Sequence, residues 1–527
     1  MSKEKESEKG EVVTVEDKAV ARLEALPEIG SPERILAERK LVRKLDYRLL
    51  PTIFLIYIMN YIDRNGITTA RLKGLEQDLG LSDLQYNVVL SILFVSYCPA
   101  QIPSNMANSQ LDFSVKPSWY IGFCVMGWGL TSLLTGVTKN YGGIIACRIF
   151  IGLPEAAFYP GAIYLLSRWY TKKELAFRSA ILYTGLLLSN AFGALIAAGI
   201  LANMEGKRGI RAWRWYGTIS YIRFSRSHFE FRLFFIEGGI TITVGIFTIW
   251  ALPDYPSNTR WIVGDERRLA QARLAEDAGE ADRDNDKDTP LAGLKMALTD
   301  PLILVFAVMN AAQLLGLSFI NFFPTLTSTL GFDTTISLLL AAPPWLIASI
   351  VTCANAWHAD KTGERYFHIA GWWWAVILGF IIGVSSDNVG ARYFAMFLMA
   401  VGYAGFSMTA VWVSNVIPRP PAKRAAAIGV VNGIGNLGNL MGSYTWKSEW
   451  GPKYHNSMII SLCGLALSTV MAFGIRQHLE RKNKQLDEDE RVAMQGANEI
   501  RVREAAQLEG ITFEQAMERR KGFRYLY

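Results

Sequence analysis

Apolar residues in this chain come in runs of about 20, the length a helix needs to cross the hydrocarbon core of a bilayer. Lipid offers no hydrogen bonds, so a crossing backbone must satisfy its own polar groups. Runs of this length therefore fold as helices. They lie at 48–68, 84–104, 118–137, 141–167, 178–202, 233–252, 302–322, 336–356, 367–385, 392–416, 424–445 and 457–475. Charged residues make up 19% of the chain, against about 25% in soluble proteins. They collect before residue 48, in 253–300 and after 476. The pattern predicts an all-α polytopic membrane protein with twelve transmembrane helices in two six-helix bundles.

The expected units are a cytosolic tail (1–47), a first bundle (48–252), a charged cytosolic linker (253–300), a second bundle (301–475) and a cytosolic tail (476–527). Short loops set the orientation, because basic residues stay on the cytosolic side. The loop after span 4 carries Arg168, Lys172, Lys173 and Arg178. The loop after span 8 carries Lys361 and Arg365, and the loop after span 10 carries Arg419, Lys423 and Arg424. The loop after span 7 has no basic residue and the loop after span 9 only Arg392. Even-numbered loops and both termini are thus expected in the cytosol.

The net charge of +7 follows from this flanking arrangement and calls for no nucleic acid. The polar N-terminus lacks the apolar core of a cleaved signal peptide, so span 1 is expected to direct insertion. Cys98, Cys124, Cys147, Cys353 and Cys463 all fall in spans with no metal or pairing pattern, which reads as small packing residues. No cofactor motif is present, nor any nucleophile–base arrangement of an enzyme.

One loop departs from the charge rule. Tyr216–Arg232, between spans 5 and 6, adds three arginines to a loop expected to face outward. Deleting it joins Trp215 to Leu233 as RAWRWLFFIEGG. The segment is either a retained short intron or a genuine loop insertion.

Four segments stand out: NYIDRNGITTARLKGLEQDLGL at 60–81, SILFVSYCPAQIPSN at 91–105, CRIFIGLPEAAFYPG at 147–161, and LFFIEGGITITVGIF followed by LPDYPSNTRW. Together they resemble the major facilitator superfamily, and within it the fungal anion:cation symporters that include the allantoate, nicotinate, pantothenate and biotin permeases. The likeness covers roughly 45–480. It implies two bundles rocking about a central cavity. The superfamily's cytosolic hairpin signature matches Asp360, Gly363 and Arg365 after span 8; the loop after span 2 lacks it. Span 5 has Gly185, Gly193 and Gly199 but no Gly-Pro pair, so the antiporter signature is missing and symport or uniport is favoured.

Ionised groups inside spans cost at least roughly 2.5–3.5 kcal/mol each, so those retained are candidates for function. They are Asp63 and Arg64 near the end of span 1, Arg148 and Glu155 in span 4, and Glu237 in span 6. Seven residues, about two turns, separate Arg148 from Glu155, which places both on one helix face. Arg offers an organic carboxylate a fork that keeps its charge. A partly buried carboxylate can couple to H⁺. The resemblance implies the same division. Asp63 and Glu155 match proton sites, and Arg64 and Arg148 match anion or coupling cations.

Each has a structural alternative: an interfacial pair for Asp63–Arg64, an interhelical clasp for Arg148 and Glu155, and a structural pair for Glu237. Tyr97 can donate to a bound carboxylate or simply pack. Asn432 and Asn436, one turn apart in span 11, can present amides to a cavity or bond between helices. Trp372, Trp373 and Trp374 read as packing and lipid contact. Pro154, Pro160, Pro343 and Pro344 are expected to bend or break their helices.

The function expected from these residues is proton-coupled import of a small organic anion by a plasma-membrane monomer. Export of an acidic metabolite, or a receptor-like or defective paralogue, are the rival readings.

Overall fold

The computed structural model describes residues 26–27, 30–71, 75–110, 116–138, 140–204, 232–278, 289–417, 420–492 and 525–526. Its regular structure is helical throughout these residues. The segment Tyr216–Arg232 lies outside them, apart from the backbone of Arg232, which starts span 6. The Glu237 side chain and residues 111–115 of the loop after span 2 also lie outside.

The first six spans are Leu49–Arg71, Asp83–Gln110, Pro117–Thr135, the two pieces Tyr141–Glu155 and Phe158–Ser167, Lys172–Met204, and Arg232–Ala251. Span 1 therefore runs past Asp63 and Arg64 and places them inside a helix rather than at its end. In this half, span 3 lies along span 6, span 1 along span 5, and span 2 along span 4. Spans 3 and 6 approach closely because glycines face each other. A Cβ on Gly238 would collide with the Gly129 carbonyl. Such small-residue contacts replace the hydrophobic drive that is missing between helices in lipid.

The second six are Pro301–Gly316 continued by Ser318–Phe322 and Phe323–Ser328, then Thr334–Thr362, Tyr366–Ser385, Val389–Val401 with Tyr403–Val416, Pro421–Gly435 with Leu437–Gly442, and His455–Val492. Span 7 packs on spans 11 and 12, and span 9 on spans 10 and 12. The two halves meet along span 5 against span 8 and span 2 against span 11.

Prolines act unevenly. Span 4 breaks just after Pro154, at Ala156–Ala157, while Pro160 lies inside the second piece. Span 8 runs through Pro343 and Pro344 as one helix, contrary to a break there. Neighbouring spans can hold a helix together across the one N–H that a proline removes. Of the three tryptophans in span 9, Trp373 is buried, Trp372 half-buried and Trp374 exposed. Phe150, Trp250, Ile350 and Val470 are exposed too, as side chains against acyl chains would be.

The end carrying the basic, even-numbered loops (the basic face below) has its own layer. Helix Pro32–Asp46, which the polar composition of the N-terminus did not announce, buries Leu41 and Leu45. It packs on the linker helix Asp265–Ala278. Arg34 binds Glu38 at 2.7 Å and Glu276 at 3.0 Å, and Lys44 binds Glu266 at 2.6 Å. A second linker helix, Pro290–Leu298, lies against spans 11 and 2.

Candidate functional site

Span 4 carries Arg148 and Glu155 on one buried face, but the two do not pair with each other. Glu155 binds Arg64 of span 1 instead. Its Oε2 accepts from Arg64 Nη2 at 2.6 Å and from Nε at 3.2 Å. The Glu155 side chain is 0% exposed and that of Arg64 11%. Glu155 Oε1 is buried without a partner among the described residues. Removing one member of a buried pair strands the other charge, typically at about 3–5 kcal/mol.

Among the described residues, Arg148 is bonded only to backbone. Its Nη2 donates to the Arg64 carbonyl at 3.2 Å and its Nε to the Val89 carbonyl at 3.4 Å. Among the described residues no carboxylate lies within ion-pair distance of it. Glu155 thus serves Arg64 alone, and Arg148 adds a second guanidinium with no described carboxylate at ion-pair distance.

Rings surround Arg64. Its guanidinium carbon lies 4.6 Å from the Tyr97 ring centre, 5.1 Å from Tyr61 and 5.9 Å from Phe94. Tyr97 is thus within cation–π range of the guanidinium. Neither Tyr61 nor Phe94 was a candidate in the sequence, where aromatic residues in spans are too common to single out.

Asp63, next to Arg64 in the chain, points elsewhere. Its Oδ1 accepts from Ser132 Oγ of span 3 at 2.9 Å and its Oδ2 from Thr241 Oγ1 of span 6 at 2.8 Å. It is 2% exposed and has no cation partner among the described residues. Consecutive residues lie about 100° apart on a helix, so span 1 presents its base to one junction and its cation to another.

Between the halves lies an aromatic array. The Tyr183 ring of span 5 stacks on Tyr403 of span 10, with centroids 6.2 Å apart. Tyr183 also contacts Tyr159 and Phe406. Beside it a cavity of about 10 Å³, close to the room one water needs, is lined in part by Tyr159, Asn310, Phe406, Thr409 and Asn432. Asn432 reaches it, donating to Gln101 Oε1 across the halves at 2.9 Å. Asn436 does not line it. Asn436 Nδ2 bonds the Asn432 carbonyl of its own helix at 2.8 Å, and its Oδ1 accepts from Asn439 at 3.1 Å. Asn310, Gln313 and Gln101 were missed as candidates. Each is an isolated carboxamide in an apolar run, the same signal that brought out Asn432.

On the basic face, Asp360 caps span 5. Its carboxylate accepts from the Ala176 and Phe177 N–H groups at 3.2 and 2.7 Å. Arg365 Nη2 donates to Asp360 at 3.0 Å and to the Lys172 carbonyl at 2.9 Å. Gly363 ends span 8 with φ +71°, a conformation that glycine adopts without strain. These contacts join the second half to the first. At span 11 a different contact stands in the corresponding place. The linker helix presses Gly293 onto Ala422, where a Cβ would lie 2.7 Å from the Ala422 carbonyl. Asp300, at the start of span 7, holds Lys423 at 2.7 Å. Burial raises the Asp300 carboxyl, but the Lys423 bond and charge outweigh it and keep it below the usual range.

A family model described as Major Facilitator Superfamily matches residues 53–443. Similar chains include MFS-type transporter cnsO of Penicillium expansum, 31% identical over 90% of both chains. MFS-type transporter efuF of Hormonema carpetanum is 30% identical over 83% of this chain and 85% of its own. Major facilitator-type transporter hxnP of Emericella nidulans is 26% identical over 89% and 94%. Among solved structures, an inward-facing, occupied bacterial homolog of the human lysosomal transporter Spinster aligns at TM-score 0.55. It is 16% identical and covers 81% of this chain and 96% of its own. The proton:xylose symporter XylE aligns at 0.54 with 14% identity, over 81% and 95%. At these identities the two structures speak to the fold alone.

Proposed function

The chain belongs to the major facilitator superfamily and is a multi-pass membrane secondary transporter, and we propose that it carries a small organic anion together with H⁺. The observation that supports this reading is the charge imbalance at the junction of spans 1 and 4. Arg148 is held by carbonyls alone while Glu155 serves Arg64. A carboxylate that enters there gains two guanidiniums in a water-poor site, where charge-assisted bonds are strong.

Coupling follows from competition for one cation. The anion needs Arg64, and taking it releases Glu155. A buried carboxylate without a cation is costly, and taking up H⁺ removes the cost. Anion and proton therefore bind together and leave together. Asp63, bonded by two hydroxyls between spans 1, 3 and 6, serves as a second proton site, sensitive to how those spans pack. Tyr97 holds Arg64 in place, and Asn432 belongs to the part of the cavity formed by the second half. Asp360, Gly363 and Arg365 latch the basic face while the site is closed on that side. In this reading the basic face is cytosolic, the membrane is the plasma membrane, the working unit is a monomer and the direction is import.

The decisive test is a radiolabelled uptake screen of carboxylate vitamins and ureides in a transporter-deleted yeast. The expected result is accumulation of at least one acid, abolished by a protonophore. Accumulation indifferent to the protonophore would exclude proton coupling.

A further inference from the structure

We infer that the cavity between Tyr159, Phe406, Asn310, Thr409 and Asn432 reads an uncharged, N–H-bearing amide end of the transported acid. This rests on the anion reading above, in which Arg64 and Arg148 take the carboxylate end.

Hydrogen-bond accounting carries the inference. The one hydroxyl proton of Thr409 goes to Gln313 Oε1 at 3.0 Å. Towards the cavity Thr409 can then only accept. Asn310 Nδ2 donates to the Val431 carbonyl at 3.1 Å and Asn432 Nδ2 to Gln101 Oε1 at 2.9 Å. No described donor meets the side-chain oxygen of either asparagine. Three cavity-lining side chains therefore offer acceptors, the second N–H of each asparagine remains as a donor, and a carboxamide, with both N–H and C=O, is the complementary ligand group.

The outer layer is costly in a way that a purely structural network would avoid. Gln101 and Gln313 are both 0% exposed, and the Nε2 of each is buried with no partner among the described residues. They orient Asn432 and Thr409 at the expense of unpaired donors. Such unsatisfied groups persist where a ligand or function demands them. Apart from the Tyr159 hydroxyl the rest of the lining is apolar, with the Tyr159 and Phe406 rings supplying flat faces suited to a planar amide. The closed cavity has room for about one water, so the amide enters as the halves part and displaces it.

The test measures binding of matched acids to purified full-length protein by calorimetry. Succinamate, glutaramate and adipamate are each compared with the acid in which an isopropyl group replaces the carboxamide: 4-methylpentanoate, 5-methylhexanoate and 6-methylheptanoate. In at least one pair the amide should bind about tenfold more tightly, in keeping with the value of a satisfied buried hydrogen bond. Thr409→Val should bring that ratio below about threefold by weakening the amide member alone, and Thr409→Ser should restore it. Equal binding within every pair, with both members lost in Arg64→Ala, would overturn this inference and leave the anion reading standing. If no acid binds, or binding ignores Arg64→Ala, the anion reading falls and this inference falls with it.

Discussion

The two halves solve the problem of burying polar groups in opposite ways. Spans 1 and 4 of the first half bury ionisable side chains: Asp63, Arg64, Arg148 and Glu155. Away from Arg365 and Arg424 at its basic face, the second half buries neutral ones, including Asn310, Gln313, Thr409, Asn432 and Asn436. An ionised group gains or loses several kcal/mol when its partner changes, which suits a coupling device. A carboxamide changes by about 1 kcal/mol per hydrogen bond, enough to discriminate ligands without trapping them. In the proposed reading, energy conversion falls to the first half and recognition of shape and neutral groups to the second.

The largest expected effect comes from the first half. Arg64→Ala should abolish anion flux in reconstituted vesicles and lower stability by about 3–5 kcal/mol, because Glu155 is left buried and unpaired. Adding Glu155→Ala should recover much of the thermal stability but none of the flux. Recovered flux in the double variant would break the comparison at its strongest point.

Glu155→Gln tests coupling alone. Uphill accumulation should fall to about equilibrium while substrate exchange across the membrane persists, since the carrier can still rock without a proton to move. Retained accumulation in this variant would remove Glu155 from the coupling path.

A third test addresses the two closures of the basic face. Asp360→Ala removes two backbone caps and the Arg365 partner, and should shift the closed–open balance by about 1–2 kcal/mol. Faster labelling of a cysteine placed at the start of span 5 would register it. Gly293→Val should loosen span 11 instead, by steric conflict with Ala422. If either substitution opened both seams equally, the two closures would be one device rather than two.

The smallest effect belongs to Asn436→Ala. Its bonds stay within span 11, so transport affinity should change by less than about threefold. Asn432→Ala, which breaks the cross-half bond to Gln101, should cost more. A reversed order, measured as KM in uptake assays, would place the wrong asparagine at the cavity.

Much of the architecture was legible because lipid imposes a length on every span and a price on every charge. The twelve apolar runs coincide with the twelve helical spans within a few residues, apart from the longer ends of spans 2, 5, 7, 8 and 12. The hairpin signature at Asp360, Gly363 and Arg365 stood out by its likeness to the superfamily's Asp-Arg-x-Gly-Arg type run. The partners of the charges were not legible. Helical spacing correctly put Arg148 and Glu155 on one face, yet which neighbour each one meets depends on how span 1 crosses span 4. The same limit hid the ring cage around Arg64 and the different environment of Asp63.

By itself the sequence determined how many times the chain crosses the bilayer, and which few residues are too expensive to be there without cause. Those are local properties of transfer from water to lipid, and each residue carries its own. Only the tertiary structure decided that Glu155 answers to Arg64, that Asp63 rests on hydroxyls, and that Asn432 rather than Asn436 reaches the cavity. Pairing between helices depends on their rotation and crossing, and these are set by the packing of all the helices at once rather than by any one segment.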